Sequence, residues 1–272
     1  MHTNNFGKTG RQVSEIGFGA WAIGAAWGHV DEADAIAALR EALDCGITFI
    51  DTADVYNDGS SERLIARALQ GRTGERPFIA TKAGRRLSAQ AVDGYSANNL
   101  NSWVDRSLKN LSVDGLDLLQ LHCPPTDLFY HPEVFDRLDD LVKQGKIRNY
   151  GVSVERVEEA LKAIEYPGVA SVQIIFNIFR QRPAELFFDL AKRKQVGVIA
   201  RVPLASGLLS GKFRPDSKFE DTDHRKFNRN GEAFDVGERF PAFRMKSALP
   251  LSRKSDRSSA GSPWRSSPYA GY

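Results

Sequence analysis

Through about its first 200 residues the chain alternates short apolar runs, polar loops and amphipathic stretches, the rhythm of repeated βα units in a parallel sheet. Apolar runs predict strands at Ile16–Gly19, Phe49–Asp51, Phe78–Lys82, Leu116–Leu121, Ile147–Ser153, Val172–Phe176 and Val198–Val202. Between them, apolar positions three and four apart predict helices at Asp31–Cys45, Ser61–Leu69, Ser96–Leu111, Pro132–Gln144, Glu155–Ile164 and Pro183–Lys194. Asp31 and Ser96 suit helix N-caps, and Gly46 and Gly145 stand where helices should stop. The turn signal Phe6-Gly7-Lys8-Thr9-Gly10-Arg11 predicts a small opening hairpin. Seven consecutive strands alternating with helices predict an α/β fold of the TIM (β/α)₈ barrel type rather than an open doubly wound sheet. An eighth strand should follow, but beyond Ala205 the apolar period stops. The expected architecture is therefore a barrel whose eighth βα unit is missing, with two strand edges left exposed.

Charge divides the chain at the same place. Residues 240–272 hold six basic residues against one acid, Asp256, together with four prolines and eight serines. The remaining 31 basic and 33 acidic residues make the body mildly acidic, so the overall +3 belongs to the end of the sequence. The expected organisation is a barrel domain over 1–238 and a disordered basic tail over 239–272.

A hydrophobic fraction of 42% with 26% charged residues excludes disordered, collagenous and fibrous classes. No run has the length of a membrane span, and the opening Met1-His2-Thr3-Asn4-Asn5 lacks a signal region, so a cytoplasmic protein is expected. Two cysteines, Cys45 and Cys123, cannot make a disulfide framework or a closed zinc site. The basic tail lacks the aromatic interleaving or folded module of a specific nucleic-acid binder, leaving only non-specific adhesion.

Three motifs are decoys. Gly17-Phe18-Gly19-Ala20-Trp21-Ala22 matches a dinucleotide fingerprint, but the next helix begins only near Asp31, whereas the fingerprint must open a helix directly. Gly7-Lys8-Thr9 lacks the upstream glycine of a phosphate-binding loop. Cys123 beside His122 on a strand would point to the opposite face, as an ordinary buried cysteine.

Chemistry in this fold gathers at the C-terminal ends of the strands. Asp51, Lys82 and His122 close the second, third and fourth strands, and Tyr56 lies in the loop after Asp51. Singly, each suits a structural role; together, four titratable residues around one mouth suit proton delivery. A phenol, with a pKa of about 10, is a poor acid at neutral pH. A cationic Lys82 beside Tyr56 should lower that pKa, Asp51 should keep Lys82 charged and placed, and His122 should polarise a carbonyl. The implied reaction delivers hydride to a carbonyl with Tyr56 as general acid, without a metal.

These residues also carry a family likeness. The motif Phe-Ile-Asp-Thr-Ala-Asp-Val-Tyr at 49–56, then Gly59-Ser60-Ser61-Glu62, with Thr-Lys-Ala-Gly at 81–84 and Leu-His-Cys-Pro at 121–124, resembles the aldo-keto reductases. The resemblance implies an NADPH-dependent barrel enzyme that reduces aldehydes or ketones, with Asp51, Tyr56, Lys82 and His122 as its tetrad. It further implies that Ser153, in Gly151-Val152-Ser153, and Gln173 hold the nicotinamide carboxamide; Val154 replaces the asparagine many relatives have there. Arg201 stands where relatives place an aromatic residue against the nicotinamide ring. In the following segment Pro203, Leu204, Ser206, Gly207, Leu209 and Gly211 match the loop over the pyrophosphate, and Lys212 adds a cation. Trp21 and Trp27, after the first strand, would wall an apolar substrate pocket.

The resemblance spans roughly residues 6–238 and stops before the family's eighth strand and its adenine and 2′-phosphate residues. The composition change suggests a frameshifted or replaced C-terminus. Weak NADPH binding follows as an expectation, because charge-assisted contacts of about 1.5–3 kcal/mol each are lost. A non-catalytic barrel that binds cofactor weakly or acts through a partner is the competing expectation.

Overall fold

In a computed structural model, residues 1–24, 30–211, 217 and 228 are described. The chain opens with the expected hairpin, β1 (Thr3–Asn5) antiparallel to β2 (Gln12–Ser14). Seven strands then form one wholly parallel sheet in sequence order: β3 (Phe18–Gly19), β4 (Phe49–Asp51), β5 (Phe78–Ala83), β6 (Leu118–His122), β7 (Tyr150–Ser153), β8 (Val169–Ile175) and β9 (Gly197–Arg201). The helices between them are α1 (Glu32–Asp44), α2 (Ser60–Leu69), α3 (Ala97–Leu111), α4 (Pro132–Lys143), α5 (Val157–Ala163), α6 (Arg182–Leu186) and α7 (Phe188–Arg193). This is the strand order of a TIM barrel. The positions expected to lack an eighth unit, and the basic segment 239–272, lie outside the described residues.

One side-chain contact reports the curvature of the sheet. Gln173 on β8 donates from Nε2 to Asp51 Oδ1 on β4 at 2.8 Å. Four strand spacings of about 4.8 Å would put those strands roughly 19 Å apart in a flat sheet, so the sheet curls until its interior faces itself.

Alternation along the strands then divides the side chains. On β4, β5 and β6 one set, including Ile50, Ile79, Leu119 and Leu121, joins the large buried cluster under the helices with Leu39, Ile65, Leu100 and Val104. The other set contains Phe49 and Asp51, Phe78, Ala80 and Lys82, Leu118 and His122. Its lower members pack with Phe6 and Val13 of the hairpin and with Ile199. Phe6 meets Phe49 and Phe78 edge-on at centroid separations of 5.4 and 5.6 Å, so the hairpin plugs the N-terminal end of the interior. The upper members, one strand turn further on, are the polar residues.

Local chemistry accounts for the element ends. The Asp31 side chain accepts from the Ala33 and Asp34 amides, and the Ser96 side chain accepts from the Asn99 amide. Glu159 accepts from the backbone N–H groups of Glu155 and Arg156, which starts α5 two residues later than the periodicity implied. The predicted helix 183–194 is broken at Phe187, separating α6 from α7. Adjacent helical side chains point about 100° apart, and the break lets both Phe187 and Phe188 bury. The predicted strand 147–153 pairs fully only from Tyr150; Ile147 makes an isolated bridge to Leu116. Its register against β8 slips at Tyr150/Gly151. A Cβ on Gly151 would lie 2.5 Å from the Ser171 carbonyl oxygen, so only glycine lets β7 and β8 close at that level.

Candidate active site

Asp51, Lys82 and His122 are the last or next-to-last residues of β4, β5 and β6, and the two-residue period turns all three inward. Tyr56 reaches the same mouth from the turn after β4. That turn is held by a hydrogen bond from the Tyr56 backbone N–H to the Ala53 carbonyl oxygen and passes through positive φ at Asn57, Asp58 and Gly59. Around it, Arg63 and Arg106 donate to the Asp58 carbonyl oxygen, while Arg86 and Arg106 pair with the Asp58 carboxylate. Beyond Lys82 the chain turns at Gly84, φ 116°, where a Cβ would sit 2.8 Å from the Tyr95 hydroxyl.

Lys82 is the hub. Its Nζ donates to Asp51 Oδ2 and to the Thr52 carbonyl, both at 2.8 Å, and lies 3.5 Å from the Tyr56 hydroxyl oxygen. The side chain is 1% exposed. Burial alone would pull its pKa down, but the Asp51 carboxylate and Tyr56 outweigh burial and hold the ammonium above the ordinary lysine value. Lys82 is therefore charged throughout the neutral range.

Tyr56 departs from the sequence-based expectation. Its pKa lies above the ordinary phenol value, not below it. Burial of the phenolate is the largest influence; Lys82 lowers the pKa, but Asp51, on the far side of Lys82, raises it again. The Lys82 cation is visible in the sequence pattern, whereas the dehydration of the phenolate that outweighs it is not.

His122 faces the Tyr56 ring edge-on at 6.0 Å. Burial first, then the charges of Lys82, Arg85 and Arg201, push its pKa well below the ordinary imidazole value. It is neutral at neutral pH and can offer a hydrogen bond without competing as an acid. Its Nδ1 is buried and has no hydrogen-bond partner within the described residues.

On the other side of the mouth, Ser153 at the end of β7 donates to Gln173 Oε1 at 3.2 Å. Both side chains are buried. They offer a hydroxyl and an amide side by side, a donor and acceptor set that fits a carboxamide. Arg201, at the end of β9, donates to the Val154 carbonyl at 3.2 Å and lies 3.8 Å from Cys123 Sγ. Pro203, Leu204, Ser206, Gly207, Leu209 and Gly211 follow in a tight loop with positive φ at Ala205, Ser206, Gly207 and Gly211. The N–H groups of Ala205, Gly207, Leu208, Leu209 and Ser210 close turns within that loop. Leu209 packs beside the buried pair Ala205 and Leu208 with Phe179, whereas Leu204 is exposed. The Trp21 ring lies 6.4 Å from that of Tyr56, interplanar angle 29°, and walls the mouth. Trp27 and Lys212 lie outside the described residues.

The structure gives two further residues here a part that their sequence positions did not show. Cys123 follows β6 with φ 45°, which breaks the strand alternation and brings its thiol within 3.6 Å of Ser153 Oγ. The expected opposite-face placement fails for that reason. Asp54, two residues before Tyr56, is fully buried, and neither carboxylate oxygen has a side-chain hydrogen-bond partner within the described residues. Its burial, with the nearby Glu62 carboxylate, pushes its pKa up to about 7 against the opposing pull of Arg86 and Arg106. A carboxyl raised in this way favours the fold below its unfolded pKa and loses that contribution as pH rises through the folded value. Asp54→Asn is thus expected to gain on the parent by on the order of 2–4 kcal/mol between about pH 4 and about pH 8. Urea unfolding of both proteins at the two pH values checks this; parallel stabilities would contradict it.

The fold is a parallel sheet in TIM-barrel order that carries a Lys–Tyr–Asp cluster and a neutral imidazole at the C-terminal ends of its strands, a set suited to proton transfer. The Aldo/keto reductase family model matches residues 15–258, reaching past residue 238, where charge and pattern had placed a domain boundary. The chain belongs to the aldo-keto reductase family. It is 33% identical over 229 residues to the aldo-keto reductase YhdN of Bacillus subtilis, covering 83% of this chain and 69% of that protein. Among solved structures, it is similar to the glycerol dehydrogenase AKR11B4 of Gluconobacter oxydans, with TM-score 0.76 and 28% identity over 96% of this chain and 79% of that one. It is also similar to an aldo/keto reductase of Klebsiella pneumoniae in complex with NADP and acetate, with TM-score 0.64 and 26% identity over 78% and 70% of the two chains. Within the described residues no helix is long and apolar enough to cross a membrane.

Proposed function

We propose that this protein reduces an aldehyde or ketone carbonyl using NADPH, with Tyr56 giving the proton to the carbonyl oxygen. The observation that carries the reading is the hub at Lys82, whose ammonium touches Asp51 at 2.8 Å and approaches the Tyr56 oxygen at 3.5 Å. NADPH, when bound, supplies the hydride. The NADP complex of the Klebsiella relative supports that choice of cofactor.

The chain's own residues do the rest. As the Tyr56 proton leaves, the phenolate formed meets the Lys82 charge at short range, which offsets its dehydration. Asp51 keeps the ammonium from swinging away. Neutral His122 donates a hydrogen bond to the substrate carbonyl and so polarises it. Ser153 and Gln173 would hold the cofactor's carboxamide, Arg201 would serve its nicotinamide, and the 203–211 loop would serve its pyrophosphate. Trp21, beside the Tyr56 ring, walls the substrate side of the mouth.

The test is NADPH oxidation, followed by absorbance, with an activated aromatic aldehyde, run beside NADH. Turnover that requires the aldehyde supports the reading. Cofactor binding without turnover, in a folded protein, would overturn it in favour of a non-catalytic barrel.

A further inference from the structure

The Asp51 carboxylate is gripped from two sides. Lys82 takes Oδ2 at 2.8 Å, and Gln173 Nε2 takes Oδ1 at 2.8 Å from the opposite wall of the sheet. An ionised carboxylate only accepts hydrogen bonds, so the atom of Gln173 that faces it must be the nitrogen. Ser153 then fixes the amide plane by donating to Gln173 Oε1 at 3.2 Å. Gln173 is 2% exposed. A continuous chain of contacts therefore runs from Ser153 through Gln173, Asp51 and Lys82 to Tyr56, across the width of the mouth.

We propose that Gln173 is a positioning residue for the Asp51–Lys82 pair, so that the side chain suited to a cofactor carboxamide also sets the charge balance at Tyr56. The proposal rests on the reductase reading and adds to it a coupling between the cofactor subsite and the proton donor. Removing the Gln173 donor has two consequences of the same sign. Asp51 loses a hydrogen bond that offsets its negative charge, and it is freer to draw Lys82 from the phenol; both make phenolate harder to form. The groups facing Tyr56 are Asp51 of β4, Lys82 of β5, His122 of β6 and Arg201 of β9. Gln173 touches the first of them directly.

The experiment uses Gln173→Met in the full chain, with Ser153→Ala as a milder second variant. Both folds are checked by circular dichroism. In cofactor-free protein labelled with ¹³Cζ-tyrosine, the Tyr56 signal is assigned from its loss in Tyr56→Phe and followed to alkaline pH. Gln173→Met should delay its ionisation by roughly 0.5–1 pH unit, and Ser153→Ala by less, in the same direction. In turnover with NADPH, Gln173→Met should lower kcat as well as raise KM for the cofactor. An unchanged Tyr56 titration, with the loss confined to KM, would overturn the coupling and leave Gln173 as a cofactor contact alone. Loss of the reductase reading has a different signature: no aldehyde-dependent oxidation in the parent, with the Tyr56 titration still answering for Gln173.

Discussion

Tyr56→Phe should lower the rate of carbonyl reduction by about 10²- to 10⁴-fold, the range expected when a general acid is deleted from an otherwise intact site. The ring remains, so its packing against Trp21 and His122 survives and the fold should be unaffected. Cofactor affinity should also persist, because the deleted hydroxyl faces Lys82 rather than the Ser153–Gln173 side of the mouth. The loss should therefore fall on kcat, with a fluorescence-measured Kd for NADPH close to that of the parent. A variant within a few-fold of the parent's kcat would remove Tyr56 from the chemistry. The raised pKa of Tyr56 makes a further point: the phenol keeps its proton through the neutral range, so reduction should fail only in alkali, as that proton is lost.

Lys82→Met should cost both activity and stability. Deleting the cation leaves the Asp51 carboxylate with Gln173 as its remaining side-chain hydrogen-bond partner among the described residues. Loss of one member of a fully buried pair costs about 3–5 kcal/mol; Asp51 keeps 19% exposure, so about 2–4 kcal/mol is expected here. Because the folded pKa of Lys82 is raised, its contribution is fully present below the unfolded value of about 10.4 and is lost only as pH rises through the folded value. The gap between parent and variant should thus be flat across the neutral range and close in strong alkali. Urea unfolding at about pH 7 and about pH 9 should give the same gap; a gap that changes between them would contradict the assignment. Catalysis should fall at least as far as in Tyr56→Phe at neutral pH, since the phenolate then forms beside an uncompensated carboxylate.

The parallel sheet was legible because its strands are short apolar runs and its helices carry a 3.6-residue period, and both signals are local. The inward set Asp51, Lys82 and His122 was legible for the same reason: strand ends and two-residue alternation can be counted along the chain. Alternation failed at Cys123, where a positive φ rotates the residue after β6 out of phase. Periodicity failed at Phe187, where two neighbouring rings both found burial. Asp54 looked like one more motif residue because nothing local shows that its carboxyl is sealed from water. The direction of the Tyr56 pKa was missed on the same ground, since dehydration depends on everything that surrounds a group.

By itself, then, the sequence determined which residues could carry chemistry and on which strand ends they sit, since backbone geometry turns spacing into facing. Tertiary structure alone decided how those ends meet. Only the curl of the sheet brings Gln173 within 2.8 Å of Asp51, 122 residues earlier in the chain. The charge on Lys82, the neutrality of His122 and the reluctance of Tyr56 to ionise follow from distance and exclusion of water, which are properties of the closed mouth rather than of any segment that builds it.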